Sequence, residues 1–237
     1  RVLSFMGGFY DFLIGSFEIL ALGVLAACVV FLARRNVLRI KRFTMREMTS
    51  WPRTDANLIL ITEIFLMTAF LLMNAADSIL QTRGAEHYIT AGSFPVSAMF
   101  IPILSGMSTD ALILLERGCW WFHIVGILAF LNYVPYSKHF HILLAFPNTW
   151  YSKLTPKGQL TNMESVMNEV KLMMDPSAVP PPADPNAAPQ RFGAKDVKDL
   201  TWKQLMDAYS CTECGRCTSS CPANLTGKIL SPRKIMM

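Results

Sequence analysis

The sequence predicts an all-α membrane helical bundle followed by a small α-helical domain. Of the 237 residues, 52% are hydrophobic and only 16% are charged, whereas charged residues make up about 25% of an ordinary soluble domain. The apolar residues are concentrated between Phe12 and Phe146, and the remainder is polar and rich in proline. We therefore assign residues 1–150 to a transmembrane domain, 151–190 to a helix and a proline-rich linker, and 191–237 to a second, small domain.

Three stretches are apolar enough to cross a membrane as helices. They run over about residues 12–33, 58–80 and 111–136, and each has the roughly 20 residues that the hydrocarbon core requires. Glu18, near the outer end of the first stretch, is expected to reach the membrane interface. A further apolar stretch, Phe94–Met107, is short and contains two prolines, so we predict interfacial or re-entrant structure there.

Basic residues distinguish the two loops that join these spans. The second loop, from Gln81 to Asp110, carries only Arg83. The positive-inside rule therefore places the first loop in the cytoplasm, and three spans then leave the C-terminal domain on the same side. No base-reading motif accompanies the basic loop, so we predict no nucleic-acid partner. The basic residues of the first loop are Arg34, Arg35, Arg39, Lys41, Arg42, Arg46 and Arg53.

The second domain contains a compact cysteine motif. Cys211, Cys214, Cys217 and Cys221 form a C-x2-C-x2-C-x3-C-P run, the spacing of bacterial ferredoxin loops that bind a [4Fe–4S] cluster. Gly215 lets the loop turn so that the thiolates converge. Four-thiolate zinc sites normally use two separated pairs, and disulfides require an oxidising compartment, which the topology opposes. We therefore predict a small α-helical ferredoxin-like iron–sulfur domain.

The last cysteine of the motif has two possible assignments. In ferredoxins with two clusters, the cysteine before proline ligates the other cluster. No second motif occurs before Met237. Either Cys221 closes a single cluster, or its partner motif lies beyond this sequence.

Two histidines suggest a possible haem site. His123 and His141 are separated by five turns of an ideal helix, which corresponds to about 27 Å. On one uninterrupted helix they would share a face, at heights that suit two b-type haems stacked across a membrane. The alternative is that His141 is an interfacial cation beside Lys138 and His123 is a hydrogen-bonded packing residue. Pro135 lies between the two histidines and can kink the helix, and the first two spans contain no partner histidine.

Three carboxylates in the spans are candidate proton or quinone contacts. They are Glu63, Asp77 and Glu116. Ionisable groups at membrane depth are functional candidates because placing them there is costly. The alternative is that Glu63 and Asp77 lie at the inner and outer mouths of the bundle and only reach the interface.

Two parts of the chain resemble known families. HIVGILAFLNYVPYSKHFH, from His123 to His141, resembles the last helix of the respiratory nitrate reductase gamma subunit, as do the basic loop and the span after it. This resemblance implies that His123 and His141 ligate haem b and that their partner histidines precede Arg1. The cluster run with CPANLTGKILSP resembles the iron–sulfur subunit of membrane heterodisulfide reductases, which implies a second cluster and a cysteine-rich domain after Met237. Fusions of the two families occur in bacteria, which implies the bacterial cytoplasmic membrane as the location.

Together these features predict a membrane-bound iron–sulfur electron-transfer subunit that links the (mena)quinone pool to a cytoplasmic redox partner, in the manner of heterodisulfide reductases. The expected cofactors are [4Fe–4S], haem b and menaquinone, and the expected partners are membrane lipid, quinone and other redox subunits. The alternative function is a non-catalytic anchor or relay subunit that docks a separate oxidoreductase. A transporter is a poorer reading, because it leaves the cluster motif unexplained.

Overall fold

The regular elements of the described chain are α-helices and 3-10 helices, without a strand. This confirms the predicted all-α fold class. Most of the proline-rich linker, and Thr161, where the sequence suggests a helix cap, lie outside the described residues. The computed structural model describes residues 3–156, 158–160, 162–175, 177 and 193–237.

The α-helices divide into long apolar helices and short helices. In chain order they are α1 (Gly8–Asn36), α2 (Trp51–Thr82), α3 (Ile101–Leu104), α4 (Thr109–Tyr133), α5 (His141–Trp150), α6 (Glu164–Met174), α7 (Trp202–Tyr209), α8 (Arg216–Ser219), α9 (Pro222–Leu225) and α10 (Pro232–Met236).

Helices α1, α2 and α4 are long and apolar enough to cross a membrane, the last with a 3-10 extension to Tyr136. Each contains one of the stretches predicted to span. The stretch Phe94–Met107 holds only the 3-10 helix Ser97–Phe100 and the short α3. Large apolar side chains remain exposed along the long helices; Leu114 on α4, for example, is 75% exposed. Such surfaces suit contact with lipid.

Local chemistry explains where the long helices begin and end. Helix α2 has Pro52 in its first turn, a position where the missing N–H costs no hydrogen bond. The side chain of Ser108 caps α4 by accepting a hydrogen bond from the Ala111 N–H at 3.3 Å. Helix α4 ends at Tyr133. The next residues, Val134–Tyr136, form a 3-10 turn that contains Pro135, and Ser137 after it has an extended backbone.

Helix α2 is central, because α1 and α4 both pack against it. Small residues allow close approach: a Cβ on Gly126 of α4 would lie 2.7 Å from Leu66 Cδ2. We call the end of the bundle that bears loop 37–50 the basic end, and the end that bears loop 83–108 the opposite end.

The described chain forms two compact units. The first comprises Arg1–Phe140 and Thr212–Met236, and the second comprises His141–Cys211 with Met237. In the second unit α5 and α7 pack together, and α7 begins with a capping box of Thr201 and Gln204. The sequence-based division at residues 150 and 190 stays a prediction. We call Thr212–Met236, which belongs to the same unit as the membrane helices, the motif segment.

Candidate iron–sulfur site and its contacts with the membrane helices

The motif segment begins with a sharp reversal of the backbone. Glu213 has a φ of 49° and Gly215 a φ of 71°, both in the left-handed region that glycine tolerates best. Gly215 precedes α8, and Cys221 precedes α9, whose first residue is Pro222. The proline of the motif therefore fills the first helical position, where its fixed φ favours a helix start.

At Gly215 the backbone of the motif segment comes close to the backbone of the membrane domain. A Cβ at this position would lie 2.8 Å from the carbonyl oxygen of Arg42 and 3.6 Å from Met48 Cγ. Helix α8 packs against the 3-10 helix Lys41–Phe43, which belongs to the loop between α1 and α2. Both the positive φ and the lack of space therefore require glycine in this part of the motif.

The thiol of Cys214 lies among groups that favour the thiolate. Burial raises the pKa of Cys214, but the backbone N–H of Arg216, the hydroxyl of Thr212 and the charges of Arg216 and Arg42 outweigh it and lower the pKa below the ordinary value. A thiolate is the form that binds metal. Its surroundings therefore prepare Cys214 for ligation.

Glu213, between the first two motif cysteines, is paired with two cations. Its Oε1 accepts a hydrogen bond from Arg233 Nη1 at 2.7 Å, and its Oε2 lies 3.8 Å from Lys138 Nζ. Arg233 also donates from Nη2 to the carbonyl oxygen of Glu47 at 2.8 Å. The motif segment is thus joined by charged side chains to both the basic loop and the residues that follow α4.

These contacts continue into α2 through Asp55. The Asp55 carboxylate is fully buried and accepts hydrogen bonds from the hydroxyls of Tyr133 and Ser137 and, at 3.0 Å, from the backbone N–H of Lys138. Burial lowers the pKa of the Lys138 ammonium, and the charge of Glu213 offsets part of that shift. A buried polar network therefore runs from the first turns of α2 to the motif segment.

The four cysteines divide between the two units, because the boundary falls between Cys211 and Thr212. Within the described chain, no group of three His, Cys, Asp or Glu side chains is close enough to hold a metal ion. Ligands commonly converge only when the metal binds, since the metal–thiolate bonds supply the energy. The surroundings nevertheless fit an anionic cluster: Cys214 favours its thiolate, and Arg42 Nε is buried without a hydrogen-bond partner among the described residues.

The structure corrects the expected geometry of the histidine pair. His123 and His141 do not lie on one helix face, because α4 ends at Tyr133 and His141 begins α5. Pro135 causes the break, since proline cannot supply the backbone N–H that continues a helix. His123 is half-buried, and its Nδ1 lies 3.2 Å from the carbonyl oxygen of Leu66.

The three candidate carboxylates lie in different surroundings. Glu63 is half-buried on α2 and close enough to His123 for an electrostatic interaction. Asp77 is buried and accepts a hydrogen bond from Gln81 Nε2 at 3.1 Å. Glu116 accepts a hydrogen bond from Tyr88 at 3.1 Å. Along α2, Glu63 and Asp77 are about 21 Å apart, so these groups do not form one site.

Sequence reasoning misplaced one carboxylate and did not single out two others. Glu18 does not reach the interface: it is fully buried and accepts hydrogen bonds from Asn74 and from the backbone N–H groups of Val96 and Ser97. Asp55 and Glu213, described above, were not identified. Their positions could have identified them: Asp55 lies at the edge of an apolar span, and Glu213 lies between two cluster cysteines. A carboxylate at such a position needs a partner when it is buried.

Comparison with protein families agrees with the cysteine motif. The model of a 4Fe-4S binding domain matches residues 202–223, which contain all four motif cysteines. This match supports an iron–sulfur cluster at the motif. No solved structure matches the chain.

The chain is similar to part of several longer proteins. It is 31% identical over 182 residues to the probable iron-sulfur-binding oxidoreductase FadF of Bacillus subtilis, covering 77% of this chain and 22% of that protein. It is 29% identical over 185 residues to the EtfAB:quinone oxidoreductase of Syntrophomonas wolfei, covering 76% of this chain and 23% of that protein. A probable membrane-anchored ferredoxin of Chromohalobacter salexigens is 40% identical over 45 residues, covering 19% of this chain and 7% of that protein. The chain thus spans less than a quarter of these relatives, and the similarity supports iron–sulfur electron transfer as the class of function.

Proposed function

We propose that this chain passes electrons between a quinone in the membrane and a [4Fe–4S] cluster at the cytoplasmic end of its membrane helices. The observation that carries the proposal is the packing of the motif segment, with three of the four motif cysteines, onto the basic end of the bundle. Arg233 joins it to the carbonyl of Glu47, and Glu213 joins it to Lys138. A redox centre bound by this segment is held against the helices that contact the quinone pool.

The side of the membrane follows from charge. The loop 37–50 and the adjoining helix ends hold the basic residues, which favour the cytoplasmic side. The motif segment packs on that same end, at Arg42 and Glu47. We therefore propose that the cluster faces the cytoplasm, where a soluble redox partner can reach it.

Quinone chemistry requires proton acceptors within the bundle. Oxidation of one quinol releases two electrons and two protons, whereas a [4Fe–4S] cluster takes up one electron at a time, so two transfers occur in succession. We propose Glu63 and His123 as the residues that receive the protons. They interact electrostatically in the membrane region, while Asp77 and Glu116 accept hydrogen bonds at the opposite end.

We propose that the quinone binds in an apolar groove of the bundle. The groove lies between α2 and α4, has a volume of about 320 Å³, and is lined mainly by apolar side chains, among them Phe65, Phe122 and Phe130. Thr62, the neighbour of Glu63 in the sequence, also lines it. An apolar cavity with a few polar groups is typical of sites for hydrophobic ligands. The name of the Syntrophomonas relative, a quinone oxidoreductase, supports this assignment. On the basis of the sequence analysis we also propose that the quinone is menaquinone, that a second cluster is present and that the partner is heterodisulfide reductase-like.

The proposal is tested on anaerobically purified protein in lipid nanodiscs. A menaquinol analogue is added, and the redox state of the cluster is followed by low-temperature EPR. We expect a cubane signal that grows with quinol and disappears with excess quinone. Cys214→Ser should lose the signal, and Glu63→Gln should keep the cluster, as measured after dithionite reduction, but slow its reduction by quinol.

The outcome of this test separates the two functions considered. A cluster that dithionite reduces, but that quinol does not reduce and quinone does not oxidise, would overturn the quinone link. It would favour the anchor or relay subunit, which docks a separate oxidoreductase and needs no quinone. A protein that binds no iron and sulfide would overturn both functions.

A further inference from the structure

Three arginines of the basic end lie close together. Arg35 is in the last turn of α1, Arg42 is in the loop, and Arg53 is in the first turn of α2. The guanidinium carbons of Arg35 and Arg42 lie 4.3 Å and 4.6 Å from the centre of the Phe43 ring. Both Arg42 and Arg53 are near enough to Arg35 to repel it electrostatically.

This group of positive charges lacks an anion among the described residues. None of the three arginines forms an ion pair with a carboxylate in the part of the chain that the structure describes. Arg35 Nη1 and Arg42 Nε are also buried without a hydrogen-bond partner there. A buried donor without a partner is destabilising, and more so when it is charged. Two such donors on neighbouring arginines therefore indicate a place where negative charge binds.

The motif segment lies directly beside this place. The backbone of Arg42 is the contact that leaves no room for a side chain at Gly215, and α8 packs on the 3-10 helix that contains Arg42. The charge of Arg42 also acts on the thiol of Cys214. An anionic group bound by the motif cysteines would therefore lie close to these arginines.

We infer that Arg35 and Arg42 of the membrane domain supply positive charge to the iron–sulfur cluster and raise its reduction potential. A cubane core with four thiolates is anionic and becomes more negative on reduction. A nearby cation therefore stabilises the reduced form more than the oxidised form. The inference rests on the cluster of the proposed function and is independent of the quinone. It makes the first membrane loop part of the redox site, whereas the sequence assigns that loop only to topology.

The test is an EPR-monitored redox titration of the cluster-loaded protein. Two pairs of adjacent residues provide matched controls, because in each pair one cation is part of the group and its neighbour is exposed. They are Arg35 with Arg34, and Arg42 with Lys41. We expect Arg35→Gln and Arg42→Gln to lower the midpoint potential, while Arg34→Gln and Lys41→Gln leave it within error of the wild type.

A charge-preserving variant separates electrostatics from packing. Arg42→Lys should keep a midpoint potential close to the wild type, because it retains the positive charge. If Arg42→Gln loses iron and sulfide while Arg42→Lys retains them, the result supports the inference, because retention of the cluster then depends on the positive charge at this position. Equal loss of cluster in both variants would overturn the inference and leave Arg42 a packing residue.

The remaining source of negative charge is a lipid phosphate, and the same variants identify it. If Arg35→Gln and Arg42→Gln keep the wild-type potential but lose bound phospholipid in native mass spectrometry, the anion is a lipid headgroup and the inference is wrong. An unchanged potential with unchanged lipid content overturns it as well. None of these results depends on quinol reactivity, so failure here is distinct from failure of the proposed function.

Discussion

Lys138 Nζ lies 3.8 Å from Glu213 Oε2, and only 8% of the lysine side chain and 10% of the glutamate side chain are exposed. This pair joins the residues that follow the third membrane helix to the part of the motif between its first two cysteines. Removing one partner of a buried ion pair is costly, because it leaves the other charge buried and uncompensated. Glu213 pairs with both Lys138 and Arg233. Loss of its charge therefore removes the carboxylate that these two cations share.

We expect Glu213→Gln to destabilise the docked motif segment by about 3–5 kcal/mol. Lys138→Gln should cost less, because Arg233 still pairs with Glu213. The measurement is the rate at which iron is lost to a chelator, compared with the wild type.

The exposed pair Lys203–Asp207 provides the control for this prediction. The Asp207 side chain is 47% exposed, and exposed pairs of this kind contribute about 0.3–0.5 kcal/mol. Asp207→Asn should therefore leave the rate of iron loss unchanged. Equal rates for Glu213→Gln and Asp207→Asn would show that the Glu213 contacts do not hold the motif segment.

Gly215→Ala should reduce cluster binding through two effects. A left-handed conformation costs a non-glycine residue about 1–2 kcal/mol, and the new Cβ would meet the Arg42 carbonyl, a backbone atom that cannot rotate away. We expect lower iron and sulfide content per protein in the purified variant.

Gly227→Ala separates the two effects. Gly227 also has a positive φ, of 90°, but no atom lies within 4 Å of its would-be Cβ. It should retain more cluster than Gly215→Ala. If both variants lose the same amount, backbone strain alone explains the result and the close contact with Arg42 is unimportant.

Local signals in the sequence predicted the helices well. Long apolar runs predicted α1, α2 and α4, since the signal needs only composition and length. The capping box of Thr201 and Gln204 is likewise a local feature, because its two hydrogen bonds join residues three positions apart. The cysteine spacing is equally local, and the match to a 4Fe-4S binding domain agrees with it.

Contacts between distant residues could not be predicted in this way. Asp55 binds the Lys138 N–H across 83 residues, and Glu18 binds the Ser97 N–H across 79 residues. Hydropathy shows that both carboxylates are unusual in their apolar surroundings, but it does not predict which N–H groups they bind. The expectation that His123 and His141 share one helix face was wrong for a related reason: the 18-residue spacing assumes an unbroken helix, and Pro135 breaks it.

Haem ligation is a second candidate role for His123, and it excludes the proton uptake proposed above, because both roles use Nε2. The Nδ1 atom of His123 lies 3.2 Å from the Leu66 carbonyl oxygen, an arrangement that fixes a histidine ring and leaves Nε2 available for a metal. In a preparation that contains haem b, His123→Leu should reduce the alpha band of the dithionite-reduced spectrum. His87→Leu, with a side chain 83% exposed, should not change it. An unaltered band in His123→Leu would show that His123 does not ligate haem.

Glu18 is the buried carboxylate that holds the stretch after Phe94 against the membrane helices. It accepts hydrogen bonds from the backbone N–H groups of Val96 and Ser97 at 2.9 Å and 3.1 Å, and another from Asn74 at 2.9 Å. The side-chain amide of Glu18→Gln places an N–H donor beside the Asn74 amide and the two backbone N–H groups, which are donors, and among these neighbours only the Ser97 hydroxyl can also accept. At least one buried N–H then loses its partner, which costs about 1–3 kcal/mol.

We therefore expect faster hydrogen exchange at the amides of Val96 and Ser97 in Glu18→Gln, by about one to two orders of magnitude. Glu86→Gln is the matched control, because Glu86 lies in the same loop with a side chain 90% exposed. Its exchange should equal that of the wild type. Protection that is unchanged in Glu18→Gln would mean that packing of Val96 and Leu71 holds this stretch, and that the carboxylate only fills a polar gap between the helices.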